Sequence, residues 1–425
     1  MKSSYIGNQS NEKATTLSYL TGLYIFFFYI EAAKRWQIFE TLKVHLLFGL
    51  LLTILCFFKL LKRTNFPIDK SSDNLTKGLI NVVFLFLSVL AIYSVASYDR
   101  SISMEVYSDR VIKLALIAFF ITISVDKTKD LKIIVIFLLL AWFKIGSEGF
   151  LGWVTGSQMW QNQGVQRLHG SNMIGHPNSL SAFGVGALAF SAYLFRSAQG
   201  LLEKSFLSLL VTFSIVIIIF TGSRSGYVAC IVVALYLFFS MKKNKFKIMM
   251  VTVVILGAAS SFIPEEYTDR LTSIYTGKEA EGNSSDKRIE IMEDAWEIYK
   301  KYPMGVGIQV FSSVRIDMFN RAQNVHMLYL EVLTNLGPVG LIVFLIFIKR
   351  LLAVNKWNVL HSVYDDKESL FLHNLSKALI AFLLLRLIFG LFAMDLYEPH
   401  WWLALGLTLA VNKLVNLRLK EEYRK

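Results

Sequence analysis

Charge is scarce in this 425-residue chain: Asp, Glu, Lys and Arg together make up 18% of it, against about 25% in a soluble protein. That shortage argues against a water-soluble globule. Cysteine is scarcer still. Cys56 and Cys230 both sit inside apolar blocks, which excludes a disulfide framework and offers no metal-ligand spacing. The polar start, MKSSYIGNQSNEKATTL, has no small-residue cleavage site after the first apolar run. No removable signal peptide is expected, and the first helix serves as the insertion signal. There is no internal repeat and no low-complexity tract. No basic patch is interleaved with aromatics on a soluble segment. The net charge of +13 therefore reads as Lys and Arg in cytoplasmic loops rather than as affinity for nucleic acid.

Long apolar runs are what the chain has in abundance, with 54% hydrophobic and 14% aromatic residues. They fall at about 16–33, 41–61, 78–97, 111–125, 133–150, 177–195, 205–221, 227–241, 247–263, 327–348, 377–394 and 400–417. Runs of about 18 or more mostly apolar residues mark transmembrane helices. The expectation is an all-α polytopic membrane protein with about 12 transmembrane helices. The block at 111–125 is short and holds Lys113. The basic stretches KRTNFPIDKSSDNLTK, DKTKDLK, MKKNKFK, KRLLAVNKWNVL and RLKEEYRK fall on one side of such a layout. The positive-inside rule makes that side, and both termini, cytoplasmic. EAAKRWQIFE is the main exception, and 349–376 reads as a solvated cytoplasmic connector.

Pro264 to His326 is the one long polar segment. It divides the chain into spans 1–9 (1–263), a long external loop with amphipathic helices (264–326), and spans 10–12 with a cytoplasmic tail (327–425). A segment of that length is too long for a structureless connector. Within it, Ser284-Ser285-Asp286 offers a helix N-cap, and Ile289, Met292, Trp296 and Tyr299 recur at spacings of three and four, giving an amphipathic helix. Arg288 falls in the first turn, where the helix dipole disfavours a cation unless an anion is bound there. Tyr302-Pro303-Met304-Gly305-Val306-Gly307 stops the helix.

Other polar constellations stand at the same side. Thr221-Gly222-Ser223-Arg224-Ser225-Gly226 links two spans; its glycines permit a tight turn or a close approach. Arg224 either offers phosphate a bidentate fork or snorkels to the headgroups. Asn324-Val325-His326 opens a span, and His326 serves either as a general base or as a structural hydrogen-bonding residue. The loop before Pro177 carries Arg167, His169 and His176, read as substrate contacts or packing, with Trp153 and Trp160 as interfacial anchors. Arg386 lies inside a span and is either functional or paired with Asp395 or Glu398. Lys144 and Glu148 stand one helical turn apart and read as a structural pair.

Set side by side, GHPNSLSAFG, TGSRSG, KRIEIMEDAWEIYKKYPMGVG and NVHMLYLEVLTNLGPVGLIVF resemble, in that order, the O-antigen ligase and polymerase superfamily. The resemblance covers about 150–350. It implies a multi-pass protein of the bacterial inner membrane that moves a glycan from an undecaprenyl diphosphate donor. The acceptor is the lipid A core in a ligase, or a second lipid-linked glycan in a polymerase of O-antigen, capsule or exopolysaccharide. The implied reaction is inverting and uses no cofactor and no metal. By the same resemblance Arg224, Arg288 and His326 are the catalytic residues. Arg167, His176, Asn324 and Asp395 are the substrate-binding candidates, Asp395 being the loosest match. Membrane lipids, and a regulator of chain length for a polymerase, complete the implied partners. A flippase for lipid-linked oligosaccharide is the rival from another class. Transporters place polar sites near the midplane, whereas the polar residues here cluster in one set of loops.

Overall fold

The computed structural model describes residues 13–62, 70–162, 165–171, 174–240, 250, 264–276, 284–362 and 366–423. The expected span at 247–263 lies outside these residues, apart from Met250. The described chain is overwhelmingly helical. Its main helices are α1 (Thr16–Tyr29), α2 (Val44–Lys62), α3 (Lys70–Val95), α4 (Arg100–Val106), α5 (Lys113–Ser124), α6 (Thr128–Val154), α7 (Pro177–Leu194), α8 (Leu201–Phe220) and α9 (Arg224–Ser240). They continue as α10 (Glu265–Thr276), α11 (Ser284–Lys301), α12 (Phe311–Phe319), α13 (Leu328–His361), α14 (Lys367–Phe389) and α15 (Pro399–Tyr423). Seven described helices are long and apolar enough to cross a membrane, and α1 is a shorter apolar helix.

Side-chain contacts fix two ends of the bundle. At one end Thr15 donates its backbone N–H to Asp130 at 2.7 Å, Lys59 and Lys413 pair with Asp126, and Arg418 reaches Asp366 and Glu368. The first described helix therefore starts, and the last one finishes, at the same end. The opposite end carries the polar loops. Between them one large apolar core runs through the bundle. At its centre the Trp142 ring is 5.1 Å from Phe190 and 6.3 Å from Phe382, so α6, α7 and α14 meet through aromatic rings. Leu46, Leu47, Leu50, Ile54, Phe57 and Phe58 of α2 are exposed, a surface suited to lipid tails rather than water.

Four features differ from the sequence expectation. First, the chain is not purely helical: β1 (Met159–Asn162) and β2 (Val165–Leu168) pair as an antiparallel hairpin. Second, the short block at 111–125 is the end of a longer helical run that begins at Arg100 and passes through a π turn, Tyr107–Ile112. Third, most of the presumed connector 349–376 is helix. There α13 extends to His361, with Asn355 and Asn358 buried against Thr408 and Asn412. Buried amides of this kind need partners, and a polar face that finds them inside the protein looks, in sequence, like a solvated one. Fourth, α13 is two helices in one. Gly337 has φ 62° and ψ −171°, and Pro338 follows it.

That break is filled by the polar loop. Proline has no N–H, so Pro338 leaves the Thr334 carbonyl without its helical donor. The Val306 amide takes that carbonyl at 2.9 Å, and the Gly307 amide takes Asn335 O at 2.9 Å. The Val306 carbonyl in turn accepts from Tyr98 N at 2.8 Å. Gly305 and Gly307 have φ of 94° and 109°, conformations that glycine alone adopts readily. The PMGVG segment is thus an edge clamped between the start of α4 and the broken helix.

Candidate functional site

A cavity of about 380 Å³ opens at the loop end of the bundle. It brings together residues distant in the chain, among them Arg35, Ser171, His176, Asn178, His326, Arg386, Asp395, Glu398 and His400, over a floor that includes Trp142, Phe183 and Phe382.

His176 is the N-cap of α7, and its ring nitrogen Nδ1 accepts the Asn178 N–H at 3.1 Å. A nitrogen that accepts carries no proton, so Nε2 is the N–H of a neutral ring. Burial drives the His176 pKa down to about 4, with Arg167, His326 and Arg288 adding to the effect. Proline at the first position of α7 suits this geometry, because its φ is already helical. The HPN sequence thus builds a helix start that aims an uncharged N–H donor at the cavity.

His326 sits just before α13, with its ring open to the cavity. Its protein surroundings lower its pKa below the usual value, and the Arg288 and Arg315 charges push the same way. It is a neutral base at neutral pH. The loop holds it in place through a small core of its own, in which Ile291, Ala295, Ile298, Val310, Phe311 and Val314 surround Val325. Across that core Arg315, 2% exposed, donates to Asp294 at 2.8 Å and to Gln323 O at 3.3 Å. Arg321 adds a second cation on Asp294 at 3.0 Å. This buried network ties α11 and α12 to the strand that ends in His326, and no motif pointed to it.

The buried face of α11 is Ile291, Asp294, Ala295 and Ile298. The apolar stripe that gave the amphipathic reading lies elsewhere on the helix: Ile289, Met292 and Trp296 are exposed and Tyr299 is half-buried. The two stripes differ by about one position, and the Arg315–Asp294 pair decides which one turns inward. Because α11 already includes Ser284, Arg288 stands beyond its first turn. The dipole argument, which applies only to the first turn, does not hold for it. Arg288 is half-buried and close enough for its charge to act on both His176 and His326.

Arg224 opens α9 and is half-buried. Its turn uses the two glycines differently. Gly222 has φ 56°, and Gly226 lies so close to α7 that a Cβ would collide with Ser181 Oγ. Ser223 Oγ caps the helix by accepting from Gly226 N at 3.3 Å. Arg167 is 3% exposed, and its guanidinium reaches Thr221 O at 2.8 Å and Asn178 Oδ1 at 3.1 Å. It fastens β2, the TGSRSG turn and the start of α7 together. Asn324 is half-buried, and neither it nor Arg167, Arg224 or Arg288 is among the residues that line the cavity.

Arg35, in the connector read as an exception to the charge rule, lines the cavity and grips Glu148 with two hydrogen bonds of 2.6 and 2.8 Å. Lys144 pairs with the same carboxylate. Asp395 is buried at 8% exposure and stands 3.7 Å from Arg386 and from His400. Burial raises the Asp395 pKa while Arg386 pulls it back. Burial also pushes Glu398 up to about 7, against the opposing pull of Arg110, which pairs with it at 2.6 Å. His400 and Arg35 are cavity residues that sequence reading did not select. Among the described residues no three His, Cys, Asp or Glu side chains are grouped to hold a metal ion.

Residues 209–345 match one protein family, described as O-antigen ligase, and the match supports the O-antigen ligase and polymerase superfamily. The matched stretch contains Arg224, Arg288 and His326. It supports a membrane glycan-transfer role in polysaccharide assembly. A comparison with curated proteins finds no match.

Proposed function

From a chain whose residues 209–345 carry the O-antigen ligase signature, we propose a membrane glycosyltransferase that moves a glycan from undecaprenyl diphosphate to an acceptor hydroxyl. The observation that carries this reading is a cavity lined by both His326 and His176, with Arg288 outside its lining but near enough for its charge to act on both rings. Such a site pairs a proton acceptor with cations and an N–H donor, at the end of an apolar bundle.

In the proposed reaction the acceptor oxygen attacks the anomeric carbon and its proton passes to His326. The anomeric C–O bond breaks, and the electron pair leaves with the diphosphate. Arg288 and Arg224 offset the charge that grows there, which fixed cations in a shielded site do without reorganising. Attack opposite the leaving group inverts the anomeric centre. Arg167 is a positioning residue in this scheme, because its hydrogen bonds go to the protein. The lipid A core is the acceptor in the ligase form of the proposal, and a second lipid-linked glycan in the polymerase form. The protein lies in the bacterial inner membrane, with both termini cytoplasmic and the cavity on the external face.

Proteoliposomes separate this reading from transport. Purified protein supplied with lipid-linked glycan and acceptor is expected to release undecaprenyl diphosphate as the acceptor gains sugar. Movement of intact lipid-linked glycan across the bilayer without release would instead identify a flippase.

A further inference from the structure

The cavity wall formed by the end of α14 and the start of α15 holds polar groups that the transfer chemistry leaves unused. His400 is 5% exposed, and its Nε2 has no hydrogen-bond partner among the described residues. Asp395 is 8% exposed, and its Oδ2 is in the same condition. These two atoms are 3.7 Å apart, and Arg386 Nη1 is also 3.7 Å from Oδ2. All three residues line the cavity.

A direct N–H···O hydrogen bond closes at about 2.7–3.2 Å, so these groups do not satisfy one another. Both atoms are closed to a water-sized probe in this structure, and one oxygen held by two bonds of about 2.8 Å spans the gap once these side chains shift to admit it. Buried polar atoms in folded proteins are almost always paired, so two adjacent ones without partners mark a place where another molecule supplies the pairing. The charges select its chemistry. A phosphate oxygen meets repulsion from the Asp395 carboxylate. A bare cation meets Arg386. A neutral hydroxyl suits all three groups, because it donates one proton and accepts through its lone pairs.

We infer that His400, Asp395 and Arg386 form a subsite for one sugar hydroxyl, which donates to Asp395 Oδ2 and accepts from His400 Nε2–H and the Arg386 guanidinium. The inference rests on the glycan-transfer reading above. It adds recognition of the sugar itself, apart from the diphosphate that carries it. The hydroxyl belongs either to the donor glycan or to the acceptor glycan.

The test measures binding by the full-length purified protein in detergent, with three probes. They are bare undecaprenyl diphosphate, the lipid-linked glycan extracted from His326→Ala cells, and the delipidated acceptor glycan. His400→Ala and Asp395→Asn are expected to weaken one of the two glycan probes about tenfold or more and to leave the bare lipid unchanged. The probe that weakens identifies the source of the hydroxyl. His400→Gln, which keeps an N–H donor, is expected to recover part of the loss. It also serves if the alanine variant does not fold. Unchanged binding of all three probes means that only an ordered water sits there, and overturns the subsite while the donor reading stands. Equal weakening of all three makes His400 structural and also overturns it. A wild-type protein that binds neither lipid overturns the donor reading, and the subsite with it.

Discussion

The Val306 amide donates at 2.9 Å to the Thr334 carbonyl, the acceptor that Pro338 strands inside α13. A break in one helix and a glycine-rich turn 30 residues earlier thus complete each other. The docking fixes the distance between the polar loop and the helix that His326 introduces.

This docking makes Gly307 sensitive to any side chain. Its φ of 109° disfavours other residues, and a Cβ would strike Ser97 Oγ. Gly307→Ala is expected to destabilise the protein by more than about 1 kcal/mol and to lower its melting temperature in detergent. An unchanged melting curve contradicts the clamp.

The Arg315–Asp294 pair is buried on both sides. Removing one partner of such a pair leaves an uncompensated charge and costs about 3–5 kcal/mol. Asp294→Ala is therefore expected to open the loop to protease while the helical bundle stays protected. Protection of α11 and α12 equal to that of the wild type argues against the network as the loop's anchor.

Much of the helical frame was legible in the sequence, because an apolar run long enough to cross a bilayer has few other uses. The polar chemistry was legible in part. His176 and His326 meet as neighbours of one cavity because each opens a helix at the loop end, and histidine before a span is visible in sequence. What stayed hidden were choices made by long-range contacts. The inward face of α11 depends on Asp294 finding Arg315. The fate of Arg167 depends on a carbonyl 54 positions away, and that of Arg35 on Glu148, 113 positions away. The hairpin at 159–168 was missed because its strands have only four residues each.

The pH dependence of transfer follows from the direction of the His326 shift. The base must be neutral to accept a proton, and its pKa is lowered first by desolvation from the protein around the ring and then by Arg288 and Arg315. Protonation on acidification switches it off, so a lowered pKa carries the active plateau below pH 6.5, the ordinary histidine value. The acid limb of kcat/KM is expected to fall at a pH below that value. Replacing Arg288 with Gln removes one of the lowering charges, so any residual activity is expected to show that limb shifted to higher pH. A limb at or above the ordinary histidine value in the wild type contradicts the assignment.

Capping by His176 separates structure from function at one residue. His176→Asn supplies a capping oxygen in place of the ring nitrogen, whereas His176→Ala loses the cap at a cost of about 1 kcal/mol. The asparagine variant is expected to melt closer to the wild type than the alanine variant does. Both are expected to show reduced glycan transfer, because both lose the Nε2–H that faces the cavity. Full transfer by either variant removes His176 from the site.

The most direct test of the account is the surface glycan of cells carrying a chromosomal His326→Ala change, with protein level matched and products resolved by size. Loss of a general base is worth about 10²- to 10⁴-fold in rate, so the account predicts collapse of the polymer profile with lipid-linked glycan accumulating. Acceptor bare of glycan, beside accumulated lipid-linked polymer, identifies a ligase; acceptor carrying a single repeat identifies a polymerase. A profile identical to that of the wild type contradicts His326 as the base and, with it, the proposed chemistry of the cavity.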